Sequence, residues 1–129
     1  MIVFRGSTAA RLPVDPASFV GDAHAQRLAE SSAGTPVAVY RVDFQPGART
    51  NWHIHSGAQW LLVIDGRIRI QKSGEPAQDL EAGDAVVIAP GEKHWHGAVP
   101  GSVGTHFAIN VNAKTEWLEP VSEQAYQGR

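Results

Sequence analysis

The stretch "NWHIHSGAQW", residues 51 to 60, sets two histidines one residue apart and a glutamine four positions after the second. In an extended strand the side chains alternate, so His53, His55 and Gln59 project to one face while Trp52, Ile54 and Trp60 project to the other. The polar face continues as Leu61 and Val63, an apolar and therefore inward-facing series. Polar groups on such a face are costly unless something satisfies them, and a metal ion would do so. "GEKHWHG" repeats the spacing with His94 and His96, again after a glycine turn, and "GTHFAINVN" adds His106 on a face shared with Ala108 and Asn110. Strands brought opposite each other in a barrel would gather imidazoles suited to a first-row divalent ion at about 2.0 to 2.1 Å. One His-x-His pair alone reads as a surface or hydrogen-bonded pair. Two such pairs and a third histidine strand read as a metal interior that takes five of the six histidines and leaves out only His24.

The elements needed to position these residues follow from the bulk of the chain. Its 129 residues suit one domain, expected to bury roughly two-thirds of the unfolded surface. Hydrophobic residues at 43% and charged residues at 19% describe a globular chain rather than a disordered or fibrous one. The formal net charge is −2 and Lys and Arg are scattered, which argues against nucleic acid or anionic lipid as partner and for a small-molecule substrate. Cysteine is absent, so thiolate metal sites, thiol catalysis and disulfides are excluded and any metal must be held by nitrogen and oxygen. The start "MIVFRGSTAARLPVD" lacks a signal-like apolar run, and no later run reaches membrane-span length, so a cytoplasmic location is expected.

Gly and Pro, 13 and 8 in number, punctuate short runs rich in Val, Ile, Trp and Phe, which predicts a mostly β chain. In "TPVAVYRVDFQPG" the alternation puts Ala38, Tyr40, Val42 and Phe44 on an inward face. "QWLLVIDGRIRIQKSGEP" predicts two strands joined by a tight turn at Asp65-Gly66, and "LEAGDAVVIAPGEKHWHGAVPG" a second hairpin with Pro90-Gly91 in its loop. "ASFVGDAHAQRLAE" is open to either a helix or an extended segment. Near the end, Ser122 is placed to cap one terminal helical turn. Trp52 and Trp60 are expected to pack between sheets or at a dimer interface. The expected fold is all-β, a sandwich or small barrel.

"GARTNWHIHSGAQWLLVIDG" resembles the first cupin motif, G-x5-H-x-H-x3-E-x6-G, at Gly47, His53, His55 and Gly66, with Gln59 in the glutamate position. "GDAVVIAPGEKHWHG" resembles the second, G-x5-P-x-G-x2-H-x3-N, at Gly83, Gly91 and His94; Ala89 stands at the usual proline and Gly97 one residue short of the usual asparagine. The resemblance implies a single-domain double-stranded β-helix barrel. Its core covers about residues 37 to 111, preceded by N-terminal strands in 1–36 and followed by a tail in 112–129. It further implies a homodimer or higher homo-oligomer and a metal held by His53, His55, Gln59 and His94.

Within the cupins, "PGARTNWHIH", Gln59, "PGEKHWHGA", "THFAI" and the Trp-containing tail are similar to the small bacterial hydroxynitrile lyases, the mandelonitrile lyase-like cupins. That implies Mn2+, with Fe2+, Ni2+, Co2+ or Zn2+ as alternatives, and cleavage or formation of cyanohydrins. A neutral amide in place of a carboxylate leaves the site the full charge of the divalent ion, which polarises a substrate oxygen more strongly. In this reading His106 is the acid and base, because imidazole titrates near neutrality and its strand points inward. His96 is a second catalytic candidate, or a buried histidine satisfied by backbone. Tyr40, Val42, Phe44 and Asn110 are expected to shape the substrate cavity, with Tyr40 bulkier and Asn110 shorter than the lyase pattern. Two other functions stay open: an iron-dependent cupin dioxygenase acting on a small organic substrate, and a small-molecule-binding cupin without turnover.

Overall fold

The structure is a computed structural model describing residues 1–129. Its strands are β1 (Leu12–Pro13), β2 (Phe19–Val20), β3 (Ala23–Ser31), β4 (Val37–Phe44), β5 (Arg49–Thr50) and β6 (His53–His55). Then come β7 (Ala58–Lys72), β8 (Gln78–Glu81), β9 (Ala85–Ile88), β10 (His94–Ala98), β11 (Gly104–Val111) and β12 (Thr115–Trp117). One short helix, α1 (Glu123–Tyr126), follows, and no helix is long and apolar enough to cross a membrane. The segment open to helix or strand is extended: Ala23–Ser31 pairs antiparallel with β4 along its length. Ser122 caps α1 as expected, its side chain accepting from the Ala125 N–H at 3.1 Å.

The twelve strands form one curled sheet in the order β1-β3-β4-β11-β7-β10-β5-β2, with β8 and β9 paired to β7, and β6 bridging β10 and β12. This is the cupin-type all-β barrel that the motifs imply. Its inner faces carry the alternating residues. Val42, Phe44, Val63 and Ile68 join one buried cluster with Ala23, Ala48 and Ala98. Leu61, Ile70, Ile88 and Ala108 make a second. A third, of Trp95, Val121 and Tyr126 with Trp52 against it, lies under the C-terminal segment. Trp60 instead stands exposed on the outer face with Leu62 and Val87.

Asp65-Gly66 is not a hairpin turn. β7 runs unbroken from Ala58 to Lys72, pairing with β11 and β9 through its first half and with β10 and β8 through its second. A bulge against β11 falls between Thr105 and His106, and Gly66 has φ +62°. The inserted residue switches the inward series from Gln59, Leu61 and Val63 to Ile68 and Ile70, so one strand serves both halves of the barrel. A hairpin turn and a strand bulge both call for positive φ, hence the same Asp-Gly signal. A Cβ at Gly66 would lie 2.2 Å from the Val103 carbonyl oxygen. Gly66→Ala should therefore cost about 3 kcal/mol of stability, read from the urea midpoint. An unchanged midpoint would mean that the bend tolerates a side chain.

The second expected hairpin is also absent. β9 pairs with the first half of β7 and β10 with the second, so the two strands flanking Pro90-Gly91 belong to opposite halves of the barrel. The loop between them turns over the site instead, where the Gly91 N–H donates to the His55 carbonyl at 2.9 Å.

Candidate metal centre

β6 and β10 lie side by side, and their first residues, His53 and His94, are direct cross-strand partners with ring centroids 4.2 Å apart. Each is oriented in the same way. His53 Nδ1 donates to the Asn51 carbonyl and His94 Nδ1 to the Glu92 carbonyl, both at 2.8 Å. A carbonyl can only accept, so the proton of each neutral ring sits on Nδ1 and Nε2 presents a lone pair. His55 Nδ1 meets the Thr115 hydroxyl at 2.8 Å, leaving its buried Nε2 without a partner. Gln59, facing Asn110 across β7 and β11, donates from Nε2 to Asn110 Oδ1 at 2.8 Å, and its Oε1 faces His94 Nε2 at 3.3 Å. His96 Nδ1 and His106 Nε2 are 2.9 Å apart, and the other nitrogen of each ring is buried and unpartnered.

Burial keeps all five rings neutral, because an imidazolium loses more hydration than a neutral ring on leaving water. It lowers His53 to about 2, aided by the neighbouring His94. It lowers His55 and His106 to about 4, and pushes His94 and His96 below their ordinary value as well.

All of these side chains but His94 border a cavity of about 330 Å³, of a size that takes a small organic ligand. Tyr40, Val42 and Asn110 line it, together with His53, His55, Gln59, His96 and His106. Phe44 does not: it is buried behind the site, with its ring 5.3 Å from His106 and edge-on to His96 at 6.3 Å. Phe19, Ala25, Thr50, Ala108, Thr115 and Trp117 complete the wall, and no acidic residue contributes to it. Trp117 tilts over His53 at 4.7 Å and Phe19 at 5.8 Å.

The family model of the cupin domain matches residues 40–108. The chain belongs to the cupin family. It is 38% identical over 112 residues to the (R)-mandelonitrile lyase of Granulicella tundricola, a match covering 84% of this chain and 86% of that protein. A cupin-like protein from Thermotoga maritima is 37% identical, with a TM-score of 0.86 over 92% of each chain. The polyketide cyclase RemF from Streptomyces resistomycificus, 16% identical at a TM-score of 0.75 over 98% of this chain and 91% of its own, shares the fold alone.

The donor set of this cupin fits a divalent ion. With the His94 proton on Nδ1, the contact between His94 Nε2 and Gln59 Oε1 brings two acceptors face to face at 3.3 Å with no proton to share. Two donors bound to one ion at about 2.1 Å each, at tetrahedral to octahedral angles, stand about 3.0 to 3.4 Å apart. A cation turns this repulsion into two bonds. The nitrogens of His53, His94 and His96 lie within 4.8 Å of one another. That trio and the set read from the cupin motifs, His53, His55, Gln59 and His94, share two histidines; Gln59 faces one of them, and the buried Nε2 of His55 has no hydrogen-bond partner.

Thr115 and Trp117 were not legible as site residues from their spacing. They arrive because β12 pairs with the histidine strand, Thr115 opposite His55 and Trp117 opposite His53. The alternation in "TEW" marks a strand, and nothing in it marks which strand it joins.

Proposed function

We propose that this cupin is a divalent-metal-dependent lyase that cleaves or forms cyanohydrins, with Mn2+ held by His53, His55, Gln59 and His94. The observation that carries the proposal is the pair of facing acceptors, His94 Nε2 and Gln59 Oε1, beside a cavity without a carboxylate. Similarity to the mandelonitrile lyase over most of both chains supports the choice of reaction. The bound ion supplies Lewis acidity, undiminished by any anionic ligand, toward the oxygen of the cyanohydrin or aldehyde.

The protein's own groups do the rest. Val42, Ala108 and Trp117 offer apolar surface to the organic part of the substrate. The paired imidazoles of His96 and His106 are neutral at pH 7 and take up the hydroxyl proton. As the oxygen's electron pair forms the carbonyl, the C–CN bond breaks, and cyanide leaves and recovers that proton as hydrogen cyanide. His106 steadies the second ring through the 2.9 Å bond between its Nε2 and His96 Nδ1, so that a charge gained by either ring is shared by the pair. The same proposal includes association of two copies, for which the exposed row of Trp60, Leu62 and Val87 offers an apolar surface.

Protein reconstituted with Mn2+ should release benzaldehyde and cyanide from mandelonitrile without consuming oxygen. His106→Ala, verified as folded from its melting midpoint, should slow this by about 100-fold or more. Cyanide release no faster than background would overturn the lyase reading, and oxygen-dependent loss of an organic substrate would favour the dioxygenase. Unaltered turnover in His106→Ala would remove the imidazole pair from the mechanism.

A further inference from the structure

Gln59 differs from the histidines around it in having two chemically opposite ends. Its oxygen has lone pairs to offer a cation, whereas its NH2 has only protons. Rotated by half a turn, the amide would direct those protons at His94 Nε2 and close the centre with an internal N–H to N bond. The orientation found is the open one, with Oε1 toward His94 at 3.3 Å and Nε2 donating to Asn110 Oδ1 at 2.8 Å.

Asn110 is well placed to decide between the two. It is the direct cross-strand partner of Gln59, and so the register of β7 on β11 fixes their approach. Of the two histidines nearest Gln59, only His94 has a fixed tautomer, and it favours the opposite orientation. His94 Nε2 is an acceptor, whereas the His55 ring can adopt either tautomer because its Nδ1 faces a hydroxyl. We infer that Asn110 is a positioning residue, whose side-chain oxygen holds the Gln59 amide with its own oxygen toward the histidines and so keeps the centre open to a cation. The inference rests on the proposal that Gln59 is a ligand.

Asn110 also stands in the wall between two spaces. Together with Tyr40 it borders the histidine-lined cavity and an outer cavity of about 580 Å³ that contains Arg27 and Glu30.

The test is Mn2+ affinity, measured by electron paramagnetic resonance of the free ion, in wild type, Asn110→Leu, Asn110→Asp, Gln59→Ala and the two double variants. Asn110→Leu keeps the size of the side chain and removes the acceptor, and should weaken binding about 10-fold or more, as removal of the partners behind metal ligands typically does. Asn110→Asp restores an acceptor for the Gln59 NH2 and should bind at least as tightly as wild type. In the Gln59→Ala background Asn110→Leu should change affinity by less than about twofold, because no amide is left to orient, and any tightening by Asn110→Asp there measures the charge of the new carboxylate alone. Melting midpoints of the metal-free proteins separate a folding defect from a loss of affinity. If Gln59→Ala weakens binding but Asn110→Leu does not, the positioning role is wrong while the metal site stands. Equal effects of Asn110→Leu with and without Gln59 would likewise overturn it, since Asn110 would then act by another route. If Gln59→Ala itself leaves affinity unchanged, the ligand reading fails and the inference with it.

Discussion

His94→Ala should abolish metal binding and turnover together, with Mn2+ affinity falling by more than the about 10–100-fold expected for partners behind the ligands. The expectation follows from how many features converge on this ring. It is the direct neighbour of His53 across the strands, its Nδ1 is fixed by the Glu92 carbonyl, and its Nε2 faces the oxygen of Gln59. Alanine removes one donor and also the group against which Gln59 Oε1 is set. The substitution leaves the Glu92 carbonyl without its imidazole donor, at a cost of about 1–3 kcal/mol, so affinity must be separated from stability. Thermal unfolding does this directly. A ligand at 100 times its Kd stabilises the folded state by about 2.7 kcal/mol, and wild-type protein should melt correspondingly higher when Mn2+ is added. His94→Ala should melt at one temperature with or without the ion. A metal-dependent rise that survives in the variant would show the ion to be bound elsewhere.

Metal-free protein should lose stability steeply as pH falls from about 6.5, well before its carboxylates begin to protonate. Five buried histidines are neutral in the fold, each with its pKa depressed chiefly by burial. The unfolded chain, with ordinary histidines near 6.5, binds more protons than the folded one below that pH, and so stability declines as pH falls. The contributions of His55 and His106 are fully present above about 6.5 and exhausted near 4, whereas that of His53 continues to drain toward about 2. A shift of the size seen at His106 corresponds to a loss on the order of 3 kcal/mol by pH 4. The rings are neighbours, so their contributions do not simply add. Urea midpoints between pH 7.5 and 4 should fall throughout this window. Mn2+ should move the onset to lower pH, since protons and the ion compete for the same lone pairs. A flat midpoint from pH 7 to 5 would contradict the burial of neutral imidazoles.

The histidine pairs were readable because a strand converts spacing directly into direction: residues two apart share a face whatever the rest of the fold does. The same rule placed Val42, Leu61 and Val63 inside, and each is buried. It did less well where the chain changes sheets. Asp65-Gly66 and Pro90-Gly91 carry real positive-φ glycines, but a local angle does not say whether the chain returns on itself or crosses to the other half of the barrel. Phe44 shows a further limit. Period two gives the inward face, and depth along the barrel decides whether an inward residue meets the cavity or the packed core behind it. Thr115, Trp117 and Phe19 lie outside the motif-bearing stretch and reach the cavity only through pairing that no local pattern specifies.

That late strand has a bearing on time as well as on space. All five clustered histidines lie between residues 53 and 106, yet the hydroxyl that meets His55 and the ring that covers His53 belong to β12. Beside that ring the wall draws on Phe19, far earlier in the chain. A nascent polypeptide thus exposes every imidazole before it possesses the strand that closes over them, and contacts so distant in sequence form slowly. The histidine cluster reaches its finished geometry only in the last stage of folding, after β12 has docked on the histidine strand.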